Sequence, residues 1–227
     1  MENNLLQAAE AIGYSYKNIG LLSHALTHRS YANEHNVKDN ERLEFLGDSV
    51  LSVVVSDHIF KRMENRTEGD LSKFRAAIVC EKSLAEAAEK FNLNSYILLG
   101  KGEEMTGGRK RPSIVSDAFE AVIASIYLDG GIEKAREWIL DHLMPQIDEV
   151  LSGRKYSDYK TMLQEAVQKG HTGHVTYETV GESGQDHNKL FSVVVMIDGV
   201  KKAEGTGKSK KEAEQDAAKH ALAEIRR

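Results

Sequence analysis

Apolar positions recur at helical spacing through the first two thirds of the chain. Leu5, Leu6, Ala9 and Ile12 mark one face of a helix over Asn3 to Ile12, and Leu21 to Thr27 carries a second, shorter patch. Glu41 to Met63 is long and strongly apolar, with charges at only a few positions. Ser83 followed by Glu86 has the spacing of a capping box, which predicts a helix over Ser83 to Phe91. Ser116 to Tyr127 reads as an apolar helix ended by Asp129-Gly130-Gly131, and Ile132 to Leu151 as an amphipathic helix carrying Trp138. No alternating pattern precedes about residue 170.

The period then changes. Tyr159 to Lys169 is helical, His174 to Val180 alternates with period two, and Phe191 to Ile197 does so in part. Val200 to Gly205 gives a third strand, reached through the tight turn Asp198-Gly199. Ser209 to Ile225 closes the chain as an Ala-rich helix. The fold class expected is mainly α: an all-helical domain over 1–150, a polar, Gly-containing linker over 151–157, and a small α-β-β-β-α domain over 158–227.

Charge sharpens this division. The net charge of −5 argues against a uniformly basic nucleic-acid binder. Residues 1–150 hold 17 Lys and Arg against 24 Asp and Glu, a balance of −7, whereas 151–227 hold 13 against 11, a balance of +2. The apolar run Ser49 to Phe60 contains Asp57 and His58 and is too short to span a bilayer, so no membrane partner is expected. The start, Met1-Glu2-Asn3-Asn4, has neither a basic nor an apolar leader segment. The single cysteine, Cys80, can form neither an internal disulfide nor a CxxC site. Together these features predict a cytoplasmic protein.

The chemistry concentrates in Glu41 to Leu51. Glu44 and Asp48 are one helical turn apart, Glu41 lies one turn earlier on a neighbouring face, and all three are set among Leu43, Phe45, Leu46, Val50 and Leu51. Like charges at this spacing destabilise a helix by a few tenths of a kcal/mol. Carboxylates among apolar residues are costly to desolvate, and a glycine such as Gly47 inside a helix costs about 1 kcal/mol relative to alanine. A second pair, Asp117 and Glu120, shares a face of another apolar helix. If the helices cross, four carboxylates converge. Oxygen donors without His or Cys favour Mg²⁺ or Mn²⁺, the arrangement needed for metal-assisted phosphodiester hydrolysis. Such pairs also mark ordinary solvated helix faces, and residue types alone leave both readings standing.

The stretch Glu41 to Leu51 resembles the signature motif of the ribonuclease III family, endonucleases of double-stranded RNA. Leu21 to Ser30, Thr67 to Ser72, Ser116 to Ala121 and Tyr127 to Gly131 resemble the same family, in the same order. The resemblance implies that Glu44, Asp48, Asp117 and Glu120 are the catalytic carboxylates and hold Mg²⁺, with Mn²⁺ as a substitute, and that Glu41 and Glu68 are accessory acidic residues. It implies a homodimer in which each subunit cuts one strand of a duplex, leaving 5′-phosphate and 3′-hydroxyl ends. It also implies a role in processing ribosomal-RNA precursors, tRNA and structured mRNA without a small-molecule cofactor. Phe45 is expected in the core or at the dimer interface. His28 is read as structural rather than as a general base, because a hydrated metal can supply the nucleophile. Gly107 to Pro112 reads as a flexible basic loop leading to the Asp117 helix.

The C-terminal element order resembles a double-stranded-RNA-binding domain. Lys208, Lys210 and Lys211 cluster at the start of its last helix, where they oppose the helix dipole; a solvated surface is the plain alternative to a phosphate-binding role. Thr161, Gln164, Glu165 and Gln168 on its first helix match positions that enter one minor groove, and His187 matches a contact to the next. Two rivals remain: a non-catalytic double-stranded-RNA-binding dimer, and a helical metal-dependent phosphohydrolase of nucleotides, which would have no use for residues 158–227.

Overall fold

The computed structural model describes residues 2–152, 159–170, 173–183 and 189–225. Its contacts cluster into two compact units, Met1–Lys155 and Tyr156–Arg227.

The first unit is helical: α1 (Glu2–Ile12), α2 (Ile19–Ala25), α3 (Arg29–His35), α4 (Glu41–Arg62), α5 (Glu68–Ile78), α6 (Glu81–Glu89), α7 (Leu93–Tyr96), α8 (Lys101–Met105), a 3₁₀ turn at Gly108–Lys110, and α9 (Pro112–Leu151). The long helices α4 and α9 form its centre. Leu51, Val54, Val55 and Ile59 of α4 and Phe119, Ile123 and Ile126 of α9 are buried in one core. The Trp138 indole N–H donates to the Ile12 carbonyl at 2.8 Å, which ties α1 to α9.

The break expected at Asp129-Gly130-Gly131 is present within α9. Gly131 takes φ 81° and ψ −179°, a conformation that favours glycine, so two helical segments run on either side of it. Asp129 accepts from the backbone N–H groups of Lys17 and Asn18 at 2.9 and 2.8 Å and from the Tyr14 hydroxyl at 3.1 Å. The motif thereby fastens the α1–α2 connection onto α9.

Several boundaries differ from the sequence expectation. Helix α6 begins at Glu81 after Cys80, so Ser83 lies buried inside the helix and does not cap it. A capping box does occur at α5, where the Thr67 hydroxyl accepts from the Asp70 N–H and Asp70 accepts from the Thr67 N–H. The basic stretch before α9 is tethered: Arg109 donates to the carbonyls of Asn94, Ser95 and Ile97 and pairs with Glu104. Of the expected linker, Leu151 ends α9 and Ser152 caps it; residues 153–157 lie outside the described residues.

The second unit is α10 (Tyr159–Gly170), β1 (Val175–Ser183), β2 (Leu190–Ile197), β3 (Val200–Gly207) and α11 (Lys210–Ile225). The strands form an antiparallel sheet in the order β1-β2-β3. Asp198 and Gly199 both take positive φ, the turn that matches strand twist in a two-residue hairpin. A register shift between Thr179 and Gly181 ends the regular alternation of β1. Val193, Val195 and Ala203 face Leu163 of α10 and the alanines of α11. A Cβ at Gly205 would lie 2.0 Å from the Ala217 nitrogen, so glycine there lets α11 settle directly on β3.

Candidate active site and RNA interface

Glu44 lies in the first turns of α4, and Asp117 and Glu120 lie near the start of α9. The two helices approach closely because Gly47, buried on α4, has no side chain where the Glu120 carbonyl passes; a Cβ there would lie 1.8 Å from that oxygen. One carboxylate oxygen from each of Glu44, Asp117 and Glu120 falls within 4.8 Å of the others. All three side chains are half-buried. Asp48, the fourth expected member, is exposed one turn after Glu44 and stands outside this group of three, although its charge acts on both Glu44 and Glu120.

The electrostatics match the crowding. Burial pushes the Glu120 carboxyl up to about 8, assisted by the charges of Asp48, Glu44 and Asp117. Glu44 is raised by burial and then by Asp117, Glu41 and Asp48. Asp117 is raised by burial, then by Glu81 and Glu41, against a lowering bond from Ser116. Three half-buried carboxylates that resist joint ionisation are a poor ion-pair network. They are a suitable oxygen donor set for a hard divalent cation, which would replace the protons.

A depression of about 580 Å³ opens beside this group, with Glu44 and Asp117 in its wall. Glu41 also lines it and pairs with Arg29 at 3.4 Å. Glu103 lines it and pairs with Arg111 at 2.7 Å. The sequence reading missed Arg29, Glu103 and Arg111 as neighbours of the site, because no spacing signal links them: Arg29 starts α3, Glu103 lies in α8 and Arg111 directly precedes α9. Glu68 is elsewhere: it accepts from the Ser72 hydroxyl and lines a separate groove with Ser56, Phe60 and Arg75.

In the second unit, Lys208, Lys210 and Lys211 are exposed around the start of α11. The Ser209 hydroxyl accepts from the Glu212 N–H at 3.2 Å, and Glu212 accepts from the Lys208 N–H at 2.7 Å, which fixes the helix start among the lysines. Gln164 is half-buried and Gln168 exposed on α10. Thr161 and Glu165 occupy the same helix at positions whose side chains lie outside the described set, and His187 lies outside the described residues altogether.

Comparison with known proteins decides the family. Residues 18–147 match the Ribonuclease-III-like family model, and residues 159–225 match the double-stranded RNA binding motif. The chain belongs to the ribonuclease III family. It is thus a double-stranded-RNA-specific endoribonuclease. A Ribonuclease 3 of Caldanaerobacter subterraneus subsp. tengcongensis is 54% identical over 218 residues, covering 95% of this chain and 96% of the relative. A Ribonuclease 3 of Listeria monocytogenes is 46% identical over 223 residues, covering 97% of each. A nuclease-domain structure of the Campylobacter jejuni ribonuclease III is 45% identical, with a TM-score of 0.58, and covers 61% of this chain and 95% of that one. The ribonuclease III fold thus accounts for both units, and no helix among the described residues is long and apolar enough to cross a membrane.

Proposed function

We propose that this ribonuclease III hydrolyses phosphodiester bonds of double-stranded RNA with Mg²⁺, or Mn²⁺ in its place, held by Glu44, Asp117 and Glu120. The observation that carries the reading is the convergence of these three carboxylates from two helices. When bound, the ion supplies Lewis-acid stabilisation of the phosphate and lowers the pKa of water. The protein's part is to present the three oxygens together, with exposed Asp48 one turn after Glu44 on α4. There Asp48 can accept a proton from water or orient it toward the phosphorus. Hydrolysis at the 3′ oxygen leaves 5′-phosphate and 3′-hydroxyl ends.

Affinity comes from the second unit. Its exposed lysines at the start of α11 suit phosphates, and its helix α10 suits a minor groove, as duplex RNA requires. We assign Thr161, Gln164, Glu165, Gln168, His187, Lys208, Lys210 and Lys211 to these contacts.

The same reading makes the enzyme a homodimer. Phe45, Val53 and Phe60 of α4 are each more than half exposed and fall within one side of the helix, a face that a second copy would cover. Glu68 shares a groove with Phe60 and Glu41 lines the depression beside the three carboxylates; we assign both, as accessory acidic residues, to contacting RNA or completing the site across the dimer. Domain limits of 1–150 and 158–227, a cytoplasmic location and action on ribosomal-RNA precursors, tRNA and structured mRNA complete the proposal. The test is cleavage of a long RNA duplex with and without a chelator. Cleavage in Mg²⁺ that a chelator abolishes while duplex binding persists is expected. Binding without cleavage in Mg²⁺ or Mn²⁺ would leave only the non-catalytic binder.

A further inference from the structure

His28 precedes α3 and caps it with its ring. The Ser30 N–H donates to His28 Nδ1 at 3.3 Å, and the Ser30 hydroxyl lies 2.8 Å from the same nitrogen. The Gly100 N–H in turn donates to the Ser30 hydroxyl oxygen at 2.9 Å. A backbone N–H aimed at Nδ1 requires a lone pair there, so the neutral ring carries its proton on Nε2. Among the described residues Nε2 has no hydrogen-bond partner, and it is not one of the buried polar atoms left unsatisfied; it therefore meets solvent. The ring lines the depression that also holds Glu44, Asp117 and Arg111. Burial is the largest influence on the imidazole and lowers its pKa; Glu103 and Glu41 act against it, and Arg29 and Arg111 with it.

A fixed, neutral N–H in this place has a specific use. Glu41 and Glu103 are already paired with arginines, so the ring is not needed to neutralise them. An imidazolium would repel a cation at Glu44 and Asp117, whereas a neutral donor adds a hydrogen bond without competing for the carboxylates. Since Nε2 already bears its proton, it cannot act as a general base. We propose that His28 Nε2–H donates to a backbone oxygen of the RNA strand entering this depression, a phosphate oxygen or a ribose 2′-hydroxyl next to the scissile bond. The inference rests on the nuclease reading above and makes His28 a substrate-positioning residue for it.

The substitution His28→Asn separates this role from capping. Asparagine is among the best N-cap residues, so it can hold the Ser30 N–H, but its side chain is too short to replace Nε2. The expected result is a melting temperature close to wild type and a fall of about tenfold or more in single-turnover cleavage of a long duplex at saturating Mg²⁺, the size of one hydrogen bond to a charged group. Wild-type cleavage by a stably folded His28→Asn enzyme would overturn the proposal, whereas a wild type that fails to cleave would overturn the nuclease reading instead. Duplexes with a single 2′-deoxy nucleotide beside the scissile bond identify the acceptor. If they slow the wild type but add no loss to His28→Asn, the acceptor is the 2′-hydroxyl; equal slowing of both enzymes assigns it to phosphate. Should His28→Asn melt early, ¹⁵N-histidine NMR of the wild type decides. A protonated Nε2 that shifts when a short RNA duplex is added in Ca²⁺ supports the assignment, and a proton on Nδ1, or no shift, contradicts it.

Discussion

Gly47 lies so close to Glu120 that a Cβ on the glycine would overlap the glutamate's carbonyl oxygen. This contact sets the distance between α4 and α9, and therefore the distance between Glu44 on one helix and Asp117 and Glu120 on the other. Gly47→Ala must push rigid backbone apart. It is expected to destabilise the protein by about 1–3 kcal/mol and to weaken divalent-cation binding. Urea unfolding and a Mn²⁺ titration check the two effects; wild-type values for both would show that the helices do not need the glycine.

The raised Glu120 carboxyl makes stability depend on pH. Glu120 ionises near pH 8 in the fold, against an ordinary value of 4.5, so between these values the folded chain holds a proton that the unfolded chain has released. Its contribution is complete below about pH 4.5 and is lost as pH rises through about 8. The melting temperature of metal-free protein should therefore fall across this window, Glu120→Gln should flatten the fall, and Mg²⁺ should restore stability on the alkaline side. A metal-free melting temperature independent of pH, equal in the variant, would remove the electrostatic account of the site.

The lysines of the second unit bear on the proposed duplex affinity rather than on the carboxylate site. Lys210→Ala with Lys211→Ala should weaken duplex binding and reduce the slope of log affinity against log salt by about 1–2, since each lost phosphate contact releases one fewer counterion. Thermal stability should change little, because both side chains are exposed. An unchanged salt slope would assign the cluster to a solvated surface.

Much of this architecture was legible because it rests on local rules. Glu44 with Asp48, and Asp117 with Glu120, stand at helical spacing in apolar surroundings, and Gly47 within the first pair signals a close approach. The hairpin at Asp198-Gly199 and the break at Gly131 announce themselves through glycine. Short elements were less visible. Helix α3 has seven residues, too few for a hydrophobic period, and its cap is a histidine rather than a residue of the usual set. Ser83 and Glu86 have capping-box spacing, yet Cys80 takes the N-cap position and the helix starts before them. The box that forms, Thr67 with Asp70, uses an aspartate where a glutamate or glutamine is typical. Arg109 could not be distinguished from its basic neighbours, because its partners are carbonyls more than ten residues away.

The most direct test of the central claim is Glu120→Gln, which keeps the shape of the side chain and removes one charge from the three-carboxylate group. Measured side by side at saturating Mg²⁺, cleavage of a long RNA duplex should be abolished while duplex affinity stays within about twofold of wild type. Near-normal turnover by this variant would contradict the assignment of Glu44, Asp117 and Glu120 as the divalent-cation site.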